Sequence, residues 1–134
     1  MSKTGKLRAM IQRVEIENFK SIRYAKVDLS PINVLIGANG AGKSNFIEFF
    51  KLLNQIYQQD LQIYVARNSG ADNFLYFGRK QSKFLSGNIF FENKNKQVTN
   101  CYKFQLMPDA TNTLFLQEEQ SGYNLNAEKE GLPE

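Results

Sequence analysis

A mixed α/β fold, with a strand-loop-helix unit followed by an antiparallel β meander, is predicted by three observations. Ile32-Asn33-Val34-Leu35-Ile36, opened by Pro31, is a short apolar run of the kind that reads as a buried parallel strand. Gly37-Ala38-Asn39-Gly40-Ala41-Gly42-Lys43-Ser44 follows at once, two glycines bracketing four residues and leading into Lys-Ser. Beyond it Phe46, Phe49, Phe50, Leu53, Ile56 and Tyr57 recur at spacings of three and four, an apolar stripe along one helix face.

The loop has the pattern of a Walker A P-loop, and chemistry accounts for its residue types. Glycines let successive backbone N–H groups converge on phosphate oxygens without a Cβ in the way, at the positive end of a helix. Lys43 is then the side chain that reaches the β and γ phosphates. Ser44 offers a hydroxyl to Mg²⁺, a hard cation that takes oxygen ligands and keeps several waters.

The other elements are justified in chain order. Residues 1–10 are polar and basic, with Lys3, Lys6 and Arg8, and are expected to be a flexible lead-in. Ile11, Val14, Ile16 and Phe19 stand among Arg13, Glu15, Glu17 and Lys20, which predicts a first strand. Ala25, Val27 and Leu29 alternate with Lys26 and Asp28, which predicts a second over Tyr24 to Leu29. The helix after Ser44 is expected to run through Gln55 and to continue to Val65, since Leu61 and Tyr64 extend its stripe, until Asn68-Ser69-Gly70 stops it. Ala71 to Gly78 reads as an aromatic-rich turn or short helix used for packing, before Arg79-Lys80 returns to the surface. Strands are predicted over Lys83 to Glu92, Val98 to Leu106 and Thr113 to Gln117, with a further run around Tyr123 and Leu125. Asn93-Lys94-Asn95-Lys96, Pro108-Asp109 and Ser121-Gly122 supply turn chemistry between them. The organisation expected is thus 11–134 as one P-loop domain portion, with strands, P-loop and helix in 11–66 and mainly antiparallel strands in 67–134.

Bulk composition narrows the chemistry. A chain of 134 residues, 42% hydrophobic and 22% charged, suits one globular domain. A net charge of +4 is compatible with acidic partners and demands none. With no histidine and Cys101 as the single cysteine, His-based nucleophilic catalysis, thiol zinc sites and a disulfide framework are excluded, and a reducing, cytoplasmic setting is expected. No apolar run approaches the ~18 residues that cross a bilayer, so no membrane partner is expected.

Ile16-Glu17-Asn18-Phe19-Lys20-Ser21-Ile22, followed further on by Gly37 to Asn45, resembles the opening of the ABC-type ATPase heads of the RecF, SMC and OLD-like proteins. The resemblance covers chiefly residues 11 to 57, and Asn39-Gly40 inside the loop with Asn45 after it are its most telling residues. It implies a P-loop NTPase fold, ATP and Mg²⁺ as cofactors, and a parent ATPase whose heads pair as a homodimer and act on DNA in repair, chromosome maintenance or phage defence. Gly37, Asn39, Gly40, Ala41, Gly42, Lys43, Ser44 and Asn45 would then hold phosphate and metal, with Ser44 as the metal ligand and Lys20 and Ser21 close to the nucleotide.

Departures from that pattern limit what the chain does alone. Ile89-Phe90-Phe91-Glu92 and Leu114-Phe115-Leu116-Gln117-Glu118 each end an apolar run in an acid, but among hairpin turns a solvent-facing strand-end Glu is the ordinary reading. Phe84-Leu85-Ser86-Gly87-Asn88 resembles the start of an ABC signature, yet Asn88 replaces its second glycine and a strand follows. No catalytic residue is assigned, and an incomplete head with exposed sheet edges, prone to self-association, is the expectation. Two other classes fit the residues less well. A small P-loop phosphotransferase needs an arginine lid, whereas Arg8, Arg13, Arg23, Arg67 and Arg79 do not cluster. An interaction module with a vestigial loop has no physical reason to retain both Lys43 and Ser44.

Overall fold

The computed structural model describes residues 11–29, 41–91 and 99–124. The expected lead-in, the strand Ile32–Ile36, the loop residues Gly37 to Gly40, Glu92, the turn Asn93 to Lys96 and the tail from Leu125 lie outside them.

The described chain is mixed α/β. Strands β1 (Ile11–Phe19) and β2 (Ile22–Asp28) form a hairpin, then come helices α1 (Ala41–Gln58) and α2 (Leu61–Arg67). A 3-10 turn (Ala71–Asn73) and a short helix α3 (Gly78–Gln81) lead into β3 (Leu85–Phe91), β4 (Thr99–Pro108) and β5 (Leu114–Asn124). The strands make one five-stranded sheet in the order β2-β1-β3-β4-β5, and every pairing in it is antiparallel. The meander expected at the C-terminal end is present as β3-β4-β5. It is continuous with the N-terminal hairpin, because β3 pairs with β1 over Ile11 to Glu17.

One face of the sheet is covered by α1. Val14, Ile16 and Phe19 of β1, Leu85 and Ile89 of β3, and Phe104 and Leu106 of β4 are buried against Phe49, Leu52 and Ile56. Those three helix positions, at i, i+3 and i+7, are the true centre of the apolar face. Phe46, Phe50 and Leu53 pack partly at its side, while Tyr57, expected in the stripe, is exposed. The chain crosses closely at Gly87, which pairs with Ile16 on one side and Phe104 on the other and lies beneath the Phe49 ring. Phe49 also meets Phe19 edge-on at 5.6 Å and stacks on Phe104 at 6.0 Å. On the opposite face Glu15 is buried and its Oε1 accepts a hydrogen bond from Asn88 Nδ2 at 2.9 Å.

The single long helix expected after Ser44 is instead two. Gln59 adopts a left-handed backbone (φ 64°), and Asp60 N donates to Gln55 O while Gln59 N donates to Ile56 O. This is the Schellman pairing that satisfies the last carbonyls of a helix and turns the chain. Leu61 and Val65 then bury on a new axis, and Gln62 Nε2 ties α2 to the carbonyl of Leu114 in β5. Ser69 repeats the device at the end of α2, with Gly70 N donating to Val65 O and Ser69 N to Ala66 O.

Strand β5 corrects the last part of the expected meander. Ser121 and Gly122 do not turn the chain but pair with Tyr102 and Cys101, so the two predicted runs are one strand of 11 residues. A register shift between Gln105 and Leu106 lets Glu118 pair with Gln105 and Leu116 with Leu106. No described helix is long and apolar enough to cross a membrane.

Candidate functional site

The hairpin β1-β2 turns through Lys20 and Ser21, since Phe19 pairs with Ile22. Lys20 is held at φ 52°, a left-handed conformation that a non-glycine residue adopts only where its surroundings fix it. Here they do. Lys20 N donates to Phe74 O at 2.8 Å, Tyr76 N donates to Asn18 O at 3.1 Å, and Phe19 bridges to Leu75. The Lys20 ammonium lies 4.9 Å from the centre of the Phe74 ring, within cation-π range. Segment 74–76 is thus stitched along the end of β1.

The expected nucleotide residues fall as follows. Ala41, Gly42, Lys43, Ser44 and Asn45 form the opening of α1, and Ser44 is exposed there. Asn45 Nδ2 donates to the hydroxyl of Ser21 at 2.7 Å, so the first turn of α1 is tied directly to the β1-β2 turn. Lys20 and Asn45 border one cleft of about 920 Å³. The structure therefore brings Lys20, Ser21 and Asn45 together at the beginning of α1, while Gly37, Asn39 and Gly40 lie outside the described residues. Glu118 is exposed on β5 with Gln120 Nε2 at 3.2 Å from its Oε2, as expected of a strand-face acid. Among the described residues no group of three or more acidic, histidine or cysteine side chains could hold a metal ion.

The rest of the cleft is lined by residues of the segment from Asp72 to Lys83, which sequence reasoning did not assign to the site. The expectation that Ala71 to Gly78 serves packing holds for Phe74 and Leu75, which are buried. Phe77 is not: it is left-handed (φ 58°), and its side chain is 76% exposed at the cleft. The turn that presents it is closed by Gly78 N to Leu75 O at 2.9 Å and by Ser82 Oγ to Tyr76 O at 2.6 Å. Asp72 Oδ1 accepts from Arg79 N at 2.7 Å and Arg79 Nε at 3.1 Å, and these bonds hold its carboxyl below the usual carboxylate range. The available signal was an aromatic residue, Phe77, followed closely by the basic residues Arg79, Lys80 and Lys83.

Arg79 is braced from behind by the β4-β5 turn, its Nη1 donating to the carbonyls of Asp109 and Ala110. That turn is organised by the Asp109 carboxylate, which accepts from the hydroxyl and N–H of both Thr113 and Thr111. These bonds, with the Thr113 hydroxyl contributing most, hold the Asp109 carboxyl well below its ordinary value. A depressed native pKa gives stability that is present above the unfolded value of about 3.9 and is lost as pH falls toward the native one. Asp109→Asn is therefore expected to lower the melting temperature at pH 7, with the gap to wild type closing as pH falls below about 4. Thermal melts of both proteins across that range check it, and a gap that persists unchanged at the acid end would refute it.

Comparison with known proteins fits these observations. The family model described as AAA ATPase domain matches residues 10–130. The DNA replication and repair protein RecF of Heliobacterium modesticaldum is 42% identical over 45 residues, which is 33% of this chain and 12% of that protein. An ATP/GTP phosphatase of Helicobacter pylori is 48% identical over 40 residues, 29% of this chain and 11% of that protein. RecF of Acidothermus cellulolyticus is 44% identical over 39 residues, 28% of this chain and 10% of that protein. The matched stretches thus span about a tenth of these relatives' lengths. No solved structure matches the chain. A match that runs through the β1-β2 turn, α1, the cleft wall and the whole meander is to the fold and not to a loop alone: the chain belongs to the AAA ATPase domain family.

Proposed function

We propose that this chain binds ATP with Mg²⁺ at the start of α1, as part of a RecF-like P-loop ATPase. The observation that carries the reading is the hydrogen bond from Asn45 to Ser21, which fixes the helix opening carrying Lys43 and Ser44 against the β1-β2 turn carrying Lys20. In this reading the backbone N–H groups of Gly37 to Gly42 cradle the phosphates at the positive end of α1. Lys43 neutralises the β and γ phosphates, Ser44 takes a place on Mg²⁺, and Asn45 and Ser21 hold the loop in register. Lys20 leaves its seat over the Phe74 ring for phosphate oxygen, an exchange favoured by the stronger charge-assisted bond. Bound Mg²⁺ supplies charge neutralisation at the phosphates. Hydrolysis needs an acid to position water, and no residue of this chain is assigned to it. Pairing of two heads and action on DNA are proposed for the parent protein on the likeness to RecF.

The test is a calorimetric titration of the chain with Mg-ATP and Mg-GTP, with phosphate release followed in the same samples and Lys43→Ala alongside. Saturable binding that disappears in Lys43→Ala, without phosphate release, is the expected result. Binding unchanged in Lys43→Ala would overturn the assignment of the loop. Turnover by the wild type would bring Glu92 and Glu118 back as candidate acids.

A further inference from the structure

We propose that the cleft walled by Phe77 seats the nucleoside of the bound nucleotide, with the base stacked on the Phe77 ring. The proposal rests on the nucleotide reading above and extends it beyond the phosphates. Asn45, one residue after Ser44, lines the cleft together with Lys20, so the cleft adjoins the opening of α1. Its volume of about 920 Å³ lies in the range of small-molecule sites and exceeds what a nucleoside needs.

Its lining favours an anion with an apolar body. Lys20, Lys80 and Lys83 line the cleft, and the one carboxylate among the described residues of the lining, Asp72, already has its Oδ1 bonded to Arg79. Leu75 supplies an apolar floor and Phe77 the exposed aromatic ring. Phe77 is a bulky aromatic at φ 58° with most of its surface in water, its ring meeting Tyr76 edge-on at 4.6 Å. It stays in place because Leu75, Tyr76, Gly78 and Ser82 bond the turn shut around it. Strain held by surrounding bonds and a hydrophobic ring presented to a cationic cleft together suit a stacking platform.

The same geometry sets the specificity. On this wall Asp72 Oδ1 is engaged by Arg79 and Asn73 Nδ2 by the carbonyl of Asn68, and the stacking ring is the main contact offered to a base. Stacking is indifferent to which purine is present, so ATP and GTP bind with similar affinity.

The experiment titrates the full chain with Mg-ATP, Mg-GTP and Mg-tripolyphosphate, in wild type, Phe77→Ala, Phe77→Trp and Lys43→Ala. Phe77→Ala is expected to weaken both nucleotides about 10-fold, the effect of losing one base-aromatic stack, while tripolyphosphate stays within about 2-fold. Phe77→Trp is expected to restore nucleotide affinity. Equal losses for nucleotide and tripolyphosphate would make Phe77 a support of the loop and overturn the proposal. So would nucleotide affinity unchanged in Phe77→Ala, or a preference between ATP and GTP beyond about 10-fold, which needs edge recognition. Tripolyphosphate binding that survives Lys43→Ala, or no binding by the wild type, would instead overturn the phosphate-site reading and this inference with it. Melting curves establish that each variant is folded, which an exposed position permits.

Discussion

Replacing Lys43 with alanine is expected to abolish the thermal stabilisation that Mg-ATP gives this chain. A ligand that binds only the folded state raises stability by about 2.7 kcal/mol when present at 100 times its Kd. For a domain of this size that is a rise of about 10 °C in Tm. Losing a charge-assisted contact to phosphate removes about 1.5 to 3 kcal/mol of binding, or roughly 10- to 150-fold in affinity. If binding weakens about 100-fold, the same ligand concentration stabilises by only about 0.4 kcal/mol, a shift barely above the error of a melt. The fold itself should not suffer, since alanine is a better helix former than lysine in the turn that opens α1. Melting both proteins with and without Mg-ATP therefore reads ligand binding alone. A full shift in Lys43→Ala would sink the phosphate assignment.

What sequence reasoning could see depends on how local the cause was. The loop Gly37 to Ser44 is a contiguous sequence pattern, so it can be proposed as a phosphate site without any tertiary information. The strand β1 and the helix α1 each announce themselves by an apolar period. The end of α1 does not, because its left-handed residue is Gln59, where the usual signal would have been a glycine. Strand β5 was cut short because its residues from Gln117 to Gly122 are solvent-exposed, so no apolar alternation marks them and Ser121-Gly122 looks like a turn. The adjacency of β1 and β3 depends on chain closure over many residues and leaves no local trace. For the site, resemblance put Lys20 and Ser21 close to the nucleotide; the structure adds a contact that resemblance did not give, the hydrogen bond from Asn45 to Ser21. Phe77 escaped because it ends an apolar run whose other members, Phe74 and Leu75, are buried; only its left-handed backbone turns it outward.

Gly87 shows how the fold and the site depend on one close approach, and Gly87→Ala is expected to destabilise the protein in spite of propensity. In the middle of a strand, alanine is ordinarily favoured over glycine by about 0.5 to 1 kcal/mol. A Cβ on Gly87 would stand 2.5 Å from Cζ of Phe49 and 2.7 Å from Cε1 of Phe104. Neither ring can swing into solvent, since Phe49 is 0% and Phe104 2% exposed, and they stack on each other. The strand cannot yield either, being paired on both sides with Ile16 and Phe104. Helix α1 must then lift from the sheet, at the cost of about 1 to 3 kcal/mol that overpacked cores show, so the steric term outweighs propensity. Gly87→Val should exceed that range. The decisive measurement is a double-mutant cycle by denaturant unfolding. Phe49→Leu is destabilising on its own, but it removes the ring end that the new methyl meets and frees space for Phe104, so Gly87→Ala should cost little in that background. Additive losses would mean that Gly87 is required for some reason other than the Phe49 contact. Because α1 carries Lys43, Ser44 and Asn45 at its opening, a lifted helix should also strain the Asn45 to Ser21 bond. Gly87→Ala would then weaken nucleotide binding from beneath the sheet-facing side of the helix, far from any phosphate.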